Sequence, residues 1–204
     1  MQVSIRIRDE ELKKSLAGLK ADVPWVTQNA INDTLKSAQE AQWATMRSKF
    51  TIRNEAFLKY SVKLKFATRA SQTGMIYIAD MPGKKTSDIW ETFEGGGRRT
   101  PYGSKYITVP TDKARSGKNS VVSKSKRPRS LQDSFVLESN NNKFIAQRKG
   151  KKQKLQIMYI LKDSVPIPDL LNFYSTVVPT IQRNIQPNIT KLLLVSMRKR
   201  GFTP

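Results

Sequence analysis

The sequence predicts an α+β fold in which an antiparallel sheet is packed by a long N-terminal helix and by C-terminal helices. Three observations predict it: a helical repeat of small and apolar residues before residue 50, short alternating segments in the middle of the chain, and a return to helical spacing near the end. With 204 residues, 38% of them hydrophobic, the chain can bury a core. We expect a single domain over residues 1–204.

Residues 1–23 are predicted to form an extension of strand and helix ahead of the main fold. Apolar residues that alternate with polar ones indicate an edge strand at Val3, Ile5 and Ile7. Leucines at helical spacing indicate a short helix through Leu12, Leu16 and Leu19. Because the residue before a proline disfavours helix, Pro24 predicts that this helix ends near Lys20.

The longest predicted helix runs from Pro24 to about Lys49. Its small and apolar stripe consists of Ala30, Ile31, Leu35, Ala38, Ala41, Thr45 and Met46. The opposite, polar side consists of Asn32, Asp33, Lys36, Glu40 and Arg47. Trp25 and Trp43 are 18 residues, or about five turns, apart and point to the polar side. Either each packs under a loop of its own chain, or the two form a subunit interface.

Strands are predicted where apolar and polar residues alternate between turn signals. A hairpin-like pair is expected at residues 62–66 and 74–80, and further strands at residues 105–109, 134–138, 143–147 and 155–161. The run of asparagines at 140–142 predicts a turn. Helical spacing then returns at Leu170, Phe173, Val177, Ile181, Ile185, Ile189, Leu192 and Leu193. Pro179 and Pro187 are expected to kink or divide this last region.

The charge balance is strongly basic and predicts an anionic partner. Lys and Arg number 37 against 16 Asp and Glu, for a net charge of +21, which favours association with a polyanion or an acidic protein. The chain has no cysteine and no histidine, which excludes thiol nucleophiles, Cys/His zinc sites and Ser-His-Asp triads. No apolar run approaches the roughly 20 residues of a membrane span, and the charged start lacks the apolar stretch of a secretory signal. We expect no membrane partner and no cofactor.

Two segments carry concentrated positive charge. Residues 111–130 hold seven cations against the single Asp112: Lys113, Arg115, Lys118, Lys124, Lys126, Arg127 and Arg129. With few apolar residues, this segment is predicted to be a flexible insertion that cannot bury itself. A second run is predicted to be a hairpin tip and contains Arg148, Lys149, Lys151 and Lys152. Both are either solvated loops or contacts with nucleic acid or an acidic protein.

Residues 90–110 contain three consecutive glycines between carboxylates and arginines. The spacing does not fit a P-loop, which requires a lysine and a helix directly after its last glycine. A magnesium-binding nuclease cluster would have to use Asp80, Asp88, Glu91 and Glu94. The same acids are also typical of a helix start, here with Ser87 as N-cap and Asp88 in the first turn.

A shaped turn explains the stretch better. A short helix is predicted to be anchored by Ile89, Trp90 and Phe93 and ended by the glycines Gly95, Gly96 and Gly97. At least one of these glycines is expected at positive φ, where a Cβ is costly.

The order of these motifs resembles the minor tail protein Z and tail-completion proteins of long-tailed bacteriophages, from about residue 24 to the end. A helix with an Ala-Ile-Asn start precedes a Phe-x-Ile-Arg segment at 50–53. An FE-Gly-Gly stretch at 93–96 leads to Pro101 and to an apolar strand that ends in Pro110. A basic hairpin at 148–151 then leads to Tyr159 and to a Val-Pro at 165–166. The basic insertion at 111–130 departs from the family pattern.

The resemblance implies a non-enzymatic virion component of the neck, present as a homo-oligomeric ring through which DNA passes. The implied partners are further copies of the chain, other neck or tail proteins and, without sequence specificity, packaged DNA. The implied location is the virion, preceded by the host cytoplasm during assembly. Two other classes stay open: a sequence-independent nucleic-acid-binding protein, and a metal-dependent nuclease built on the four acids around residues 80–94.

Overall fold

Mixed α+β structure is confirmed by the computed structural model of the chain. The structure describes residues 9–80, 86–115, 117, 120–148 and 154–202, with side chains described from residue 17 onward. The strand predicted at residues 3–7 lies outside the described residues. The long helices lie towards the two ends of the chain and the strands between them.

The contacts group the chain into two compact units, each built from separate stretches. The first unit combines Met1–Thr45, Val62–Ala79 and Phe173–Pro204, and the second combines Met46–Ser61 and Asp80–Asn172. The chain therefore passes between the units several times. That residues 1–204 act as one domain stays a prediction.

Helix α1 (Asp9–Lys49) is the frame of the first unit. Its buried residues recur every four positions through Val26, Ala30, Thr34, Ala38 and Gln42. Because four residues advance a helix by about 400°, this row turns by about 40° per step and about 160° in all. The buried surface of α1 therefore winds around the helix, and packing partners are needed on more than one side.

One partner is the hairpin formed by β1 (Val62–Lys65) and β2 (Met75–Ile78), which pair antiparallel as predicted. The Gln39 side chain donates to the Val62 carbonyl oxygen at 2.8 Å. Asn32 bonds both backbone groups of Ala67, as donor to its oxygen at 3.1 Å and acceptor from its nitrogen at 2.8 Å. The polar face predicted for Asn32 is thus used to hold the strand pair.

The other partner is helix α4 (Phe173–Lys199), which runs antiparallel to α1. Three polar contacts fix the register of the two helices. Ser196 Oγ donates to Asp22 Oδ2 at 2.6 Å, Asn188 Nδ2 donates to Thr34 Oγ1 at 2.9 Å, and the Thr45 and Thr176 hydroxyls lie 3.4 Å apart. Buried polar groups tolerate few alternative partners, so these pairs specify one alignment.

Neither long helix is divided at its prolines. The prediction that a helix ends near Lys20 is wrong, and so is division at Pro179 and Pro187, whereas a kink at these two prolines stays a prediction. α1 continues through Pro24 instead of ending near Lys20, and α4 is one helix that contains both Pro179 and Pro187. A proline inside a helix costs about 3 kcal/mol. Contacts with α4 hold this part of α1, because Asp22, two residues before Pro24, is bonded by Ser196 and also by Arg200 at 3.0 Å.

The second unit contains the four-stranded antiparallel sheet. Its order is β4 (Ile107–Pro110), β7 (Gln156–Lys162), β6 (Asn142–Gln147) and β5 (Ser134–Ser139). All four strands were predicted within about two residues. The predicted asparagine turn joins β5 to β6, with Asn140 and Asn141 at φ 49° and 58°, the left-handed pair that a tight hairpin turn requires.

An aromatic cluster packs the short helices of the second unit. In α3 (Ser87–Gly95), Trp90 is 4% exposed and its Nε1 donates to Ser61 Oγ, at the end of α2 (Glu55–Ser61), at 3.1 Å. Trp90 also contacts the rings of Phe50, Phe57 and Phe93. Ile89 was predicted as a third anchor, but it is 37% exposed because it lies on the outer side of α3.

The glycines after α3 form the predicted shaped turn. Gly96 and Gly97 have φ angles of 63° and 130°, as expected for at least one of the three, whereas Gly95 closes the helix with ordinary geometry. Strand β3 (Gly97–Arg99) then pairs antiparallel with β8 (Val165–Ile167). The Phe93 carbonyl oxygen accepts hydrogen bonds from Leu170 N and Leu171 N at 2.9 and 3.0 Å. The turn thus fixes α3 to the end of β8.

A comparison of two neighbouring glycines tests this turn. A Cβ on Gly96 would lie 3.2 Å from Asp169 N and 3.3 Å from Ile167 O, whereas a Cβ on Gly95 would meet nothing within 4 Å. Gly96→Ala should therefore lower the free energy of unfolding by about 1 kcal/mol or more. Gly95→Ala, the matched control, should change it little. The measurement is urea unfolding of both variants, and equal stability of the two would contradict the turn geometry.

Candidate polyanion-binding surface

The basic segment, defined as residues 111–130, is attached to the four-stranded sheet. At its start, Thr111 N donates to the Met158 carbonyl oxygen at 2.9 Å, and Thr111 Oγ1 donates to the Ile157 oxygen at 2.7 Å. Further along, the Tyr159 hydroxyl donates to the Lys126 carbonyl oxygen at 2.7 Å. Strand β7 therefore holds the segment at two places.

A small apolar cluster lies beneath the segment. Ala114 is fully buried and packs with Met158 and Tyr159, and Val122 lies against the same cluster. The prediction that this segment cannot bury itself is wrong at Ala114, because one methyl group suffices where the sheet supplies the large side chains. Flexibility of the segment as a whole stays a prediction.

A β-bulge allows consecutive residues of β7 to enter this cluster. Ile145 pairs with Tyr159 while Ala146 pairs with Ile157, so Met158 is the extra residue. Adjacent residues of a regular strand point to opposite faces, whereas a bulge re-aims one of them. Met158 and Tyr159 are both buried here, at 2% and 3% exposure.

Two of the predicted contact cations stabilise the segment itself. Arg115 Nη1 donates to the Ser120 carbonyl oxygen at 3.2 Å, and Lys126 Nζ donates to the Lys113 carbonyl oxygen at 3.4 Å. Both side chains belong to half-buried residues. Arg115 and Lys126 are thus partly committed within the segment.

Four other cations face solvent: Lys113, Lys124, Arg127 and Arg129. Within the described part of the chain, none of these four side chains forms an ion pair. Short 3₁₀ turns at Lys124–Lys126 and Pro128–Ser130 hold the last three in place. Lys118 lies outside the described residues. We call these four cations the outward cations.

Burial and nearby cations shift the pKa of Tyr159 in opposite directions. Burial raises the pKa of its phenol, and the charges of Arg115 and Arg127 oppose that rise. The neutral hydroxyl is the form that donates to Lys126, and burial favours that form.

The second basic run connects two neighbouring antiparallel strands, as a hairpin tip does. Gln147 at the end of β6 pairs with Gln156 at the start of β7. Arg148 is exposed, while Lys149, Lys151 and Lys152 lie outside the described residues. Their part in binding stays a prediction.

The two tryptophans of α1 have different surroundings. Lys199 Nζ lies 5.3 Å from the centre of the Trp25 ring, so Trp25 contacts its own chain. Trp43 is half-buried, and its Nε1 has no hydrogen-bond partner among the described residues. The subunit-interface prediction is untested for both residues.

Two of the four acidic residues around α3, Asp80 and Asp88, lie at the start of the helix. Asp80 Oδ1 accepts hydrogen bonds from Thr86 N and Ser87 N, both at 2.8 Å. Thr86 occupies the N-cap position predicted for Ser87, and Asp88 lies in the first turn as expected. Asp80 thus satisfies two backbone donors at the start of α3, where amide groups lack partners within the helix. In the described ranges, no three potential metal-ligating residues lie together.

Sequence reasoning missed one charged group on the same sheet. Lys143 Nζ donates a hydrogen bond to the Tyr106 hydroxyl at 3.0 Å and lies 2.9 Å from Glu138 Oε1. The Lys143 hydrogen bond lowers the pKa of Tyr106, and the same bond and Glu138 raise the pKa of Lys143. Tyr106 and Lys143 are 37 positions apart, and their link depends on β4, β6 and β7 being neighbours.

Comparisons with known proteins give no match: no family model, no curated protein and no solved structure is similar to the chain. No helix in the described residues has the length and apolar content needed to cross a membrane.

Removing the Tyr159 hydroxyl should loosen the basic segment. Tyr159→Phe deletes the donor to Lys126, a loss of about 1 kcal/mol, and should speed trypsin cleavage after Lys126 and Arg129 by roughly fivefold. The control is Tyr102→Phe, which alters a fully exposed ring and should cleave like the unmodified protein. The measurement is limited proteolysis with mass spectrometry. If Tyr159→Phe cleaved no faster than the control, β7 would not hold the segment.

Proposed function

We propose that the protein is a non-enzymatic structural component of a bacteriophage neck or tail, in which repeated copies surround the passage for DNA. The observation that carries the proposal is the set of outward cations, which lack ion pairs among the described residues and stand on a segment fixed to the sheet. The order of motifs that resembles tail-completion proteins supports the same assignment.

The outward cations suit a partner that presents many anionic groups. Lysine and arginine contacts to phosphates position a protein on DNA without reading its sequence. A net charge of +21 favours such contacts at every orientation of the duplex. The surface would therefore lower the electrostatic cost of holding DNA close, and it would not select a base sequence.

The proposal assigns no catalytic residue and no cofactor. Of the four acids that a nuclease would use, Asp80 is already bonded to the start of α3. Glu91 and Glu94 lie on α3, three positions apart. The glycines between α3 and β3 shape a turn instead of enclosing a phosphate.

Assembly would be homo-oligomeric and would include other neck or tail proteins. A chain with this much positive charge is stabilised when an acidic surface or DNA lies nearby, because self-repulsion falls. Trp43 is the proposed contact residue of the described part of α1. The location would be the virion, after a period in the host cytoplasm.

A sequence-independent nucleic-acid-binding protein is the second candidate, because the same outward cations would serve it. Such a protein would bind DNA as a monomer, with a strong dependence on salt. Assembly with phage particles separates the two candidates.

The DNA contact is tested by replacing three outward cations. Lys124→Gln, Arg127→Gln and Arg129→Gln together should weaken binding to duplex DNA. The slope of log K against log salt is negative, and each lost phosphate contact should reduce its magnitude by about 0.9, or by up to about 2.7 for three contacts. The measurement is fluorescence anisotropy with labelled duplexes of two unrelated sequences across a salt series.

The matched control removes the same charge elsewhere. Arg183, Lys191 and Arg198 are exposed cations of α4, and replacing them with Gln lowers the net charge equally. The control variant should have a slope of log K against log salt close to that of the unmodified protein. If both triple variants reduced the magnitude of the salt slope equally, net charge alone would explain binding and the outward cations would have no special part.

A further inference from the structure

The first unit contains a cavity lined by residues of α1, by residues of α4 and by Arg69 from the connection between β1 and β2. Its volume is about 250 Å³, and its lining consists of Ala21, Asp22, Trp25, Arg69, Ser196 and Lys199. Pockets for drug-sized ligands are about 300–1,000 Å³. The cavity therefore suits a small chemical group and not a large ligand.

Charges around this cavity are unbalanced. Asp22 is its carboxylate, and it is already bonded by Arg200 at 3.0 Å and by Ser196 at 2.6 Å. The Arg200 hydrogen bond, followed by that of Ser196, lowers the pKa of Asp22, and the charge of Lys199 acts in the same direction. Asp22 is thus an ionised carboxylate hydrogen-bonded to Arg200 and Ser196. Three cations, Arg69, Lys199 and Arg200, therefore stand against this one carboxylate in and beside the cavity lining.

The other two cations, Arg69 and Lys199, belong to exposed residues, and neither forms an ion pair with any residue that the structure describes. Lys199 is held at the cavity by its position over the Trp25 ring, with Nζ 5.3 Å from the ring centre. A cation–π contact of this kind fixes an ammonium group without neutralising its charge. The ammonium group of Lys199 is therefore placed at the cavity before any anion arrives.

We propose that this cavity binds one phosphate group, with Lys199 and Arg69 as the cationic ligands and Trp25 as the residue that positions Lys199. Arginine and lysine are the usual protein partners of phosphate, and charge-assisted hydrogen bonds are stronger than neutral ones. The phosphate belongs either to a nucleic-acid strand or to a free phosphate compound. The site lies in the other unit from the basic segment and does not depend on it.

The fluorescence of Trp25 provides a direct readout, because an anion that binds the Lys199 ammonium group changes the environment of the neighbouring indole. Titration of the full chain with inorganic phosphate, a deoxynucleoside monophosphate and a short single-stranded oligonucleotide, at constant ionic strength, should give a saturable change in tryptophan emission. Trp25→Phe should abolish that change. A response to the oligonucleotide alone identifies the strand as the source, and a response to all three identifies phosphate itself.

Lys199→Ala should weaken phosphate binding about tenfold or more, by calorimetry and by emission. Arg69→Ala is the second variant and lies outside the helices, so it tests the site if Lys199→Ala folds poorly. Arg183→Ala removes a cation elsewhere on α4 and should bind like the unmodified protein. Absence of saturable binding, an equal response to glutamate, or an equal loss in the Arg183 control would overturn the proposal.

Discussion

The excess of 37 cations over 16 carboxylates constrains every other feature of this protein. In the described residues, four carboxylates hold elements together. Asp22 bonds Arg200, Glu55 bonds Arg47, Glu138 bonds Lys143, and Asp80 bonds the start of α3. None of these four carboxylates forms an ion pair with an outward cation. Their repulsion is reduced only by solvent, salt or an external anion, since charges more than about 10 Å apart are screened at 0.1 M salt.

Attachment of the basic segment to the sheet lowers the conformational entropy that the segment would lose when it binds a partner. Ordering a free loop costs roughly 1–2 kcal/mol for each residue, and a fully mobile segment would meet that cost when it binds. Here Thr111, Ala114 and Lys126 are held by β7 in the free chain. Part of the entropy is therefore lost on folding, where the cluster around Met158 and Tyr159 offsets it. A polyanion would meet cations whose supporting backbone is already placed.

Local patterns predicted the elements well. The turn at Asn140 and Asn141 is set by neighbours in sequence, and so are the strands on either side of it. The prolines led to wrong helix boundaries because helix propensity depends on neighbours in sequence. The helices α1 and α4 are held by distant contacts, such as that of Ser196 with Asp22, 174 positions apart. A helix can accept Pro24 when distant residues stabilise its two sides.

The candidate surfaces were only partly predictable. Composition identified the basic segment and its cations, but not which of them are used internally, because that depends on carbonyl groups such as that of Lys113. The burial of Ala114 depends on a bulge in β7 that no pattern in the sequence indicates. The cavity at Trp25 needs residues from three separate stretches, so it appears only once α1 and α4 are aligned.

We propose above all that the protein works as repeated copies in a phage neck or tail. The most direct test of this proposal is the mass of the protein alone and after mixing with phage heads and tails assembled without it. We predict a ring-sized or particle-bound form that appears with those particles. A protein that stays monomeric, binds DNA and never joins the particles would contradict this account.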